Sequence, residues 1–296
     1  MAKKAKSANF FNKIIVLALA VISLALITVA TTQKQTNYDI RTGATYNPKI
    51  DPDDFTTNIT NKYFTLPVGK KMVYEGDTEE GRERIEITIP GDKKKIMGVE
   101  TLLYRDKAWL DSNGDGKWSK KEMIEDTRDY LAQNKKTGDV WYFGEEVNNY
   151  EDGELIDHDG SWLAGDDRYP GALPGIWVKQ NPKVGEVYLQ EFYKGKAEDT
   201  VKVLSTHATV KTSLGKFKDC LRTKDFTPLE PDALENKYYC PNAVIKNIGS
   251  TVLIKDLAND EQLELSKLTV GKTDDDKDDE DDDKDNDRDG DEEEDD

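Results

Sequence analysis

The chain has 296 residues, enough for one large domain or two small domains with a sizeable core. Its formal net charge is −18, but the 18 acidic and 3 basic residues of positions 274–296 alone contribute −15. The other residues therefore carry only −3, and the acidity belongs to the C-terminal tail. No basic segment of the kind that binds nucleic acid is present, so we expect no nucleic-acid partner.

The N-terminus has the pattern of a targeting segment. Lysines at positions 3, 4, 6 and 13 precede an apolar run of 17 residues, 14–30. This run is longer than the roughly 7–15 residues of a cleaved signal and close to the roughly 17–25 of a membrane span. We expect residues 1–30 to be a signal peptide or an uncleaved membrane anchor, and either would place the rest outside the cytoplasm. Residues 31–46 are polar and are expected to form a linker.

Residues 47–271 are predicted to form a mainly β extracytoplasmic domain. Alternating segments such as Glu83–Ile89 end at turn residues such as Pro90, Gly91 and Asp92. Other strands are predicted over 71–76, 99–109, 140–143, 154–157, 186–193, 197–204, 208–212, 215–226, 236–240, 244–248, 251–256 and 262–265. A long Gly-, Pro- and Trp-rich connection is expected over 160–182. The pattern predicts an antiparallel β-sandwich or a barrel-like sheet.

One segment of this domain, residues 111–122, has the spacing of an EF-hand calcium loop. Oxygen-bearing side chains occupy the first, third, fifth, ninth and twelfth places, and Gly116 occupies the sixth, where the chain must turn sharply. The seventh ligand of such a loop is a backbone carbonyl, and Trp118 in the eighth place is expected to face the core. The predicted Ca²⁺ ligands are Asp111, Asn113, Asp115, Lys117 through its backbone, Ser119 and Glu122.

The segments around this loop depart from a helix–loop–helix. Residues 123–131 are compatible with a helix, whereas 99–110 are rich in β-branched and aromatic residues and favour a strand. A single strong copy of the loop indicates a structural ion rather than a calcium sensor. Three carboxylates with lysines at positions 117, 120 and 121 nearby predict weak affinity, on the order of 10⁻⁴–10⁻³ M.

The tail, residues 272–296, is low in complexity and is expected to be disordered. It contains a weaker calcium pattern around Gly290. The candidate ligands there are Asp285, Asp287, Asp289, Glu293 and Asp296. The alternative is a diffuse acidic segment that holds cations or binds a basic partner or a cell-envelope polymer.

Cys220 and Cys240 are the only cysteines of the chain. An even number of cysteines in an oxidising compartment predicts a disulfide, here between two strands. Two separate buried thiols are the alternative. The two histidines, His158 and His207, show no ligand spacing with these cysteines, so no zinc site is expected.

The sequence does not favour an enzyme. A serine-type triad needs a histidine base, and His158 and His207 both lie in segments typical of surface histidines. Paired carboxylates such as Glu145 and Glu191 could serve a hydrolase acting on cell-surface glycans, which is the alternative function. Three tryptophans that could form a sugar platform are instead expected in the core: Trp141, Trp162 and Trp177.

Several short strings are distributed along the domain. They are Val140-Trp-Tyr-Phe-Gly-Glu145, Gly160-Ser-Trp162, Pro174-Gly-Ile176, Gln190-Glu-Phe-Tyr193 with Ala197-Glu-Asp199, and Lys237-Tyr-Tyr239. Together, over residues 47–255, they resemble an uncharacterised family of secreted microbial proteins. The resemblance implies a secreted β-rich domain and assigns no catalytic residue. The calcium loop resembles an insertion into that pattern, so calcium binding is not expected to be the shared function of the family.

Overall fold

The structure is a computed structural model that describes residues 46–241, 250–257 and 260–271. The predicted N-terminal segment, the linker up to residue 45, the strand predicted over 244–248 and the tail lie outside the described residues. Within the described residues the fold is mainly antiparallel β, as predicted, with two short 3₁₀ turns at Pro52–Asp54 and Lys120–Glu122. No helix in this part of the chain is long and apolar enough to cross a membrane.

The strands fall into two halves of the described chain. The first half contains β1 Phe55–Thr56, β2 Ile59–Asn61, β3 Phe64–Leu66, β4 Lys70–Thr78, β5 Gly81–Thr88, β6 Lys93–Ile96, β7 Val99–Asp111, β8 Met123–Asn134, β9 Val140–Glu151 and β10 Glu154–Asp157. The second half contains β11 Trp162–Leu163, β12 Leu173–Val178, β13 Val187–Leu189, β14 Glu191–Phe192, β15 Thr200–Thr212, β16 Gly215–Phe226, β17 Leu234–Cys240, β18 Ser250–Asp256 and β19 Gln262–Val270.

Two antiparallel meanders form one large sheet. In the first, β4, β5, β7, β8 and β9 lie side by side, and β6 pairs with β7 beyond the end of β5. In the second, β15 to β19 lie side by side in chain order. β19 also pairs with β4, from Glu264 opposite Glu75 to Val270 opposite Lys70. This long-range pairing joins the two meanders along one edge.

The other two edges, β9 and β15, are joined through β12, β13 and β14. β12 pairs with β9, β14 with β12, and β13 with β15. Only Gln190 separates β13 from β14, so one extended segment pairs with both sides, and the sheet becomes nearly closed and barrel-like. The N–H groups of Gln190 and Glu191 both donate to the carbonyl of Asp199, at 2.7 and 3.3 Å. Closure removes unpaired strand edges and creates an interior.

The hairpin of β2 and β3 lies inside this sheet. The side chain of Phe64 is 1% exposed, and its ring centroid is 5.9 Å from those of Tyr104 and Trp177 and 6.1 Å from that of Tyr239. These three rings belong to β7, β12 and β17, which lie on different sides of the sheet. Phe64 must therefore occupy the interior, where it packs the hairpin as an apolar plug.

The two ends of the interior differ, because only one of them holds the β2–β3 hairpin. The side-chain oxygen of Gln133, near the end of β8, accepts N–H groups from two residues of β2, at 2.6 and 3.0 Å. The end of the interior that holds the hairpin is named the plug end. Near it, Cys220 of β16 and Cys240 of β17 form the predicted disulfide. The opposite end carries residues 111–122 and is named the loop end.

Some element predictions are wrong. The helix compatible with residues 123–131 is instead part of β8, which pairs with β7 and β9 on its two sides. A helix there would leave two strand edges unpaired, so the tertiary context decides the conformation. The connection expected over 160–182 contains β11 and β12, and the separate strands expected over 197–204 and 208–212 are one bulged strand, β15.

The tryptophans expected in the core are found there. Trp162 and Trp177 are buried, and Trp141 is partly buried and packs against the core. Trp177 also contributes to closure, because its ring centroid lies 4.8 Å from that of Tyr142 on the neighbouring strand β9, in an edge-to-face arrangement.

We expect Gly175→Ala, at the closing edge, to destabilise the protein by about 2 kcal/mol. A Cβ at this position of β12 would lie 2.1 Å from the carbonyl oxygen of Gln190, so the strands would have to separate. The matched control is Gly271→Ala, whose Cβ would have no atom within 4 Å. The measurement is the free energy of unfolding in urea, followed by tryptophan fluorescence. Equal unfolding midpoints for the two variants would contradict this role of Gly175.

Candidate functional site

The predicted calcium loop is the turn between β7 and β8. It begins at Asp111, the last residue of β7, and ends in the 3₁₀ turn Lys120–Glu122, directly before β8. Strands rather than helices therefore lie on both sides of it. This agrees with an EF-hand-like loop placed in a β-hairpin, and not with a helix–loop–helix unit.

The side chains predicted to bind the cation converge. Carboxylate oxygens of Asp111, Asp115 and Glu122 lie within 4.8 Å of one another, and within the described residues no other group of three His, Cys, Asp or Glu side chains comes as close. Asn113 donates its amide N–H to Glu122 Oε1 at 2.8 Å, and the Ser119 hydroxyl donates to Oε2 at 3.0 Å. The three carboxylates thus converge, and Asn113 and Ser119 are both hydrogen-bonded to one of them, Glu122.

Backbone N–H groups hold the first carboxylate of the loop in place. Asp111 Oδ1 accepts from Gly114 at 2.7 Å and from Asp115 at 3.1 Å, and its Oδ2 accepts from Gly116 at 2.8 Å. Gly114 and Gly116 have φ of +75° and +73°, a conformation that favours glycine. The chain therefore wraps around Asp111, whose oxygens keep lone pairs that could bind a cation.

Neighbouring turns fix the loop to the sheet. A Cβ on Gly81, the first residue of β5, would lie 2.5 Å from the carbonyl oxygen of Asp111. A Cβ on Gly153, in the turn between β9 and β10, would lie 3.2 Å from the carbonyl of Lys120. The expectation that Trp118 faces the core is wrong. It is partly buried, with the guanidinium of Arg84 over its ring at 5.8 Å.

A second group of acidic side chains lies inside the sheet, in the half nearer the loop end. Asp129 of β8 is directly opposite Glu145 of β9, and Glu145 is opposite Trp162 of β11. The Tyr142 hydroxyl donates to Asp129 Oδ1 at 2.6 Å, and Trp162 Nε1 donates to Glu145 Oε1 at 3.2 Å. The interior carboxyl cluster, as we name it, consists of Glu83, Glu125, Asp129, Glu145, Glu191, Asp199, Asp225 and Glu235.

Lys237 of β17 is a buried cation that faces this cluster. Its Nζ lies 3.0 Å from Asp225 and 3.4 Å from Glu235. Burial opposes its charge, but the charges of these two carboxylates still raise the pKa of Lys237 well above the ordinary value. Lys237 therefore keeps its positive charge beside Asp225 and Glu235.

Burial keeps several of these carboxyl groups protonated. Removal from water raises the pKa of Glu125 to about 7, of Asp129 to about 8 and of Asp199 to about 7. Burial also raises the pKa of Glu145 and Glu191 well above the ordinary value, and the negative charges of their neighbours add to the effect. The raised pKa values favour the protonated form of these carboxyl groups near neutral pH.

Most of the strings behind the family resemblance contribute a residue to this cluster or to a contact with it. Segment 140–145 supplies Glu145, 160–162 supplies Trp162, 190–199 supplies Glu191 and Asp199, and 237–239 supplies Lys237. Sequence reasoning named only Glu145 and Glu191, as a carboxylate pair, and missed the other members. A signal was available in the acidic residues at positions 125 and 129, which an alternating strand places on one face.

The candidate catalytic residues are arranged unlike a triad. His158 and His207 are both exposed, as predicted, with ring nitrogens 2.9 Å from the carbonyl of Val147 and 3.2 Å from the carboxylate of Asp219. Glu145 and Glu191 do come together in the cluster, but both are buried. The hydrolase alternative stays a prediction.

No family model matches the chain, and no curated protein matches it. One similar solved structure is the crystal structure of a "putative lipoprotein" from Parabacteroides distasonis ATCC 8503, which has 12% sequence identity and a TM-score of 0.34. The similarity covers 70% of this chain and 98% of that chain. A likeness of this degree carries no argument about function.

We expect Asp129→Asn to flatten the dependence of stability on pH. The pKa of Asp129 rises on folding from 3.8 to about 8, so between these values the unfolded chain loses a proton that the folded protein keeps. Stability therefore falls as pH rises through this window, and the neutral amide removes that loss. The difference in free energy of unfolding between Asp129→Asn and the wild type should be more favourable to the variant at pH 8 than at pH 5, by at least about 1 kcal/mol. The measurement is urea unfolding across pH 5–8 with a chelator present.

The matched control for this experiment is Asp166→Asn. The hydrogen bond from Arg168 lowers the pKa of the partly buried Asp166 to about 2, so its contribution to stability is lost only in acid. This variant should leave the slope between pH 5 and pH 8 unchanged. A slope that Asp129→Asn does not alter would show that Asp129 is ionised in the folded protein.

Proposed function

We propose that this chain is a non-catalytic extracytoplasmic protein that binds one Ca²⁺ in the 111–122 loop. The observation that carries the proposal is the convergence of the Asp111, Asp115 and Glu122 carboxylates within 4.8 Å. They lie on a loop whose backbone already turns around the first of them. Like charges this close repel, and a bound divalent cation would turn that repulsion into attraction.

The donor set favours calcium over other metals. It consists of oxygens alone, from three carboxylates, the amide of Asn113, the hydroxyl of Ser119 and the backbone carbonyl of Lys117. Calcium takes six to eight oxygens with flexible geometry, whereas Mg²⁺ demands an octahedron and keeps its waters, and zinc prefers nitrogen and sulfur. The long loop with two glycines suits the larger ion.

The calcium would have a structural role. The strands on both sides of the loop, β7 and β8, are paired with each other and with β5 and β9. A sensor needs a pair of helices that can open, and these strands have no such freedom. The bound ion would hold the tip of the hairpin and, through the close approach at Gly81, the adjacent turn between β4 and β5.

Two observations support a location outside the cytoplasm. The disulfide between Cys220 and Cys240 is of a kind that persists in oxidising compartments. The N-terminal lysines and apolar run 14–30 have the pattern of a secretion signal or an anchor. If the run stays attached, it would hold the β domain at a membrane surface, where a cell-envelope polymer would be an available partner.

The test is calorimetric titration of Ca²⁺ into the full chain and into Asp111→Asn and Glu122→Gln variants. We expect the wild-type loop to bind with Kd on the order of 10⁻⁴–10⁻³ M, and each variant to lose this binding. Calcium at about 100 times Kd should raise the free energy of unfolding by about 2.7 kcal/mol in the wild type only. Heat from the acidic tail is common to all variants and cancels in the comparison.

Lys117→Ala is the matched control, because the loop would use only the backbone carbonyl of this residue. Its ammonium lies 3.6 Å from Asp115 and competes for that carboxylate. We expect equal or slightly tighter calcium binding in this variant. Wild-type heats and unfolding energies that Asp111→Asn and Glu122→Gln leave unchanged would refute a calcium site in the loop.

A further inference from the structure

The hairpin of β15 and β16 extends beyond the strands on either side of it. Within the described residues, β13 pairs with β15 only over 200–202, and β17 pairs with β16 only over 221–226. From Ala208 opposite Cys220 to the turn of the hairpin, the two strands pair only with each other. We name this two-stranded segment, residues 208–220, the arm.

The tip of the arm lies beside β19, the strand that leads towards the acidic tail. The backbone N–H of Ser213, in the turn of the arm, donates to Glu264 Oε2 of β19 at 2.9 Å. Val210 and Phe217 are only 6% and 8% exposed and belong to the hydrophobic core. The arm is therefore held against the sheet by its apolar side chains and by a contact with β19.

The other side of the arm carries positive charge. Lys211 and Lys216 are directly opposite each other, and both are exposed, as is Lys218. Within the described residues none of these three lysines forms an ion pair, and the carboxylate of Asp219 lies 3.2 Å from the ring of His207 instead. Like charges directly opposite each other on two strands repel, so a negatively charged partner would stabilise the arm.

The positive charge continues along β16 beyond the arm. Arg222 and Lys224 are half-buried, and the register places Lys224 opposite another lysine, Lys202 of β15. The guanidinium of Arg222 lies 5.6 Å from the ring centroid of Tyr238, and the ammonium of Lys224 lies 6.0 Å from that of Phe226. Such cation–π contacts orient the two side chains but do not cancel their charge.

The first meander differs, because it pairs many of its cations with carboxylates of a neighbouring strand. The N···O distances of these ion pairs are 2.7–3.0 Å. The paired cations are Lys71, Arg82, Arg84 and Arg105. The uncompensated lysines of the arm are therefore a local feature of the β15–β16 hairpin and not a general property of the surface.

The chain itself contains a segment of opposite charge. Residues 274–296 carry 18 acidic and 3 basic residues, a net charge of −15. Val270, at the end of β19, is six residues beyond Glu264, which corresponds to about 20 Å along the strand. The residues from 272 to 296 could span up to about 80 Å when extended, so they could easily reach the arm. Attachment this close gives the tail a high effective concentration at the arm.

We propose that the acidic tail, residues 274–296, docks on the arm of its own chain. Its carboxylates would face Lys211, Lys216 and Lys218 and continue towards Arg222 and Lys224. The contact would consist of many solvent-screened ion pairs, each weak but joined by one tether. The docked tail would close this basic surface to other polyanions and would leave it as salt screens the charges. Calcium in the 111–122 loop is not required for this contact.

The experiment is zero-length carbodiimide cross-linking of the full chain in calcium-free buffer, which joins a carboxylate to an amine in contact with it. Mass spectrometry then gives the yield of cross-links between the tail and each lysine. At about 0.01 M salt, where charges act over roughly 30 Å, we expect Lys211, Lys216 and Lys218 to carry most of these cross-links. At about 1 M salt, where the range falls to roughly 3 Å, that preference should disappear.

The variant Lys211→Gln/Lys218→Gln lowers the charge of the arm and keeps the amine of Lys216 as the reporter. We expect the yield of tail cross-links at Lys216 to fall at least about threefold, the effect of losing two surface ion pairs. The matched control is Lys95→Gln/Lys194→Gln, which removes the same charge from two exposed lysines outside the arm. It should leave the yield at Lys216 within about 1.5-fold of the wild type.

Mixing isotope-labelled and unlabelled chains distinguishes the tail of the same chain from that of a second copy. We expect cross-linked peptides of one label, whereas a majority of mixed-label peptides would assign the arm to the tail of another molecule. Equal yields at all exposed lysines, or a yield at Lys216 that the arm variant leaves unchanged, would also overturn the proposal. So would polyphosphate binding that Lys211→Gln/Lys218→Gln weakens while the tail shows no preference for the arm, because the arm would then serve an outside polyanion.

Discussion

The closing segment β13–β14 is the constraint on which the rest of this structure depends. Each meander alone would be an open sheet with two exposed edges and one face in water. The pairing of β19 with β4 joins them once, and the segment around Gln190 joins them a second time. Gly175 allows this second junction because a side chain there would collide with the Gln190 carbonyl. Closure gives the molecule an inside, in which the Phe64 plug and the interior carboxyl cluster lie.

The two ends of that interior are filled by different kinds of side chain. At the plug end, Phe64 packs against three aromatic rings, so the hairpin fills the space with apolar side chains. At the loop end the interior carries carboxyl groups instead, and their pKa values rise because charge is poorly solvated away from water. Apolar residues of similar volume would pack more stably than such a cluster.

How far the sequence could predict the fold depends on the range of the interactions. Alternation identified strands such as 83–89, and the turn residues between them implied antiparallel order. The alternation pattern was misleading at 123–131. Local propensity allowed a helix there, but pairing with the strands on both sides requires a strand. It also could not foresee the hairpin inside the sheet, since the burial of Phe64 depends on rings from three distant strands. The disulfide was predictable because only two cysteines were available to pair.

By itself, the sequence determined the proposed ligand set of the 111–122 loop and the alternation that makes β-strands. Both follow from spacing within a few residues, where covalent geometry leaves little choice. Only the tertiary structure decided that Asp129, Glu145 and Glu191 lie together. Their meeting requires a particular register between β8 and β9 and the closure of the sheet at Gln190. Such long-range pairings are set by the burial of the whole interior, and no local pattern in the chain encodes them.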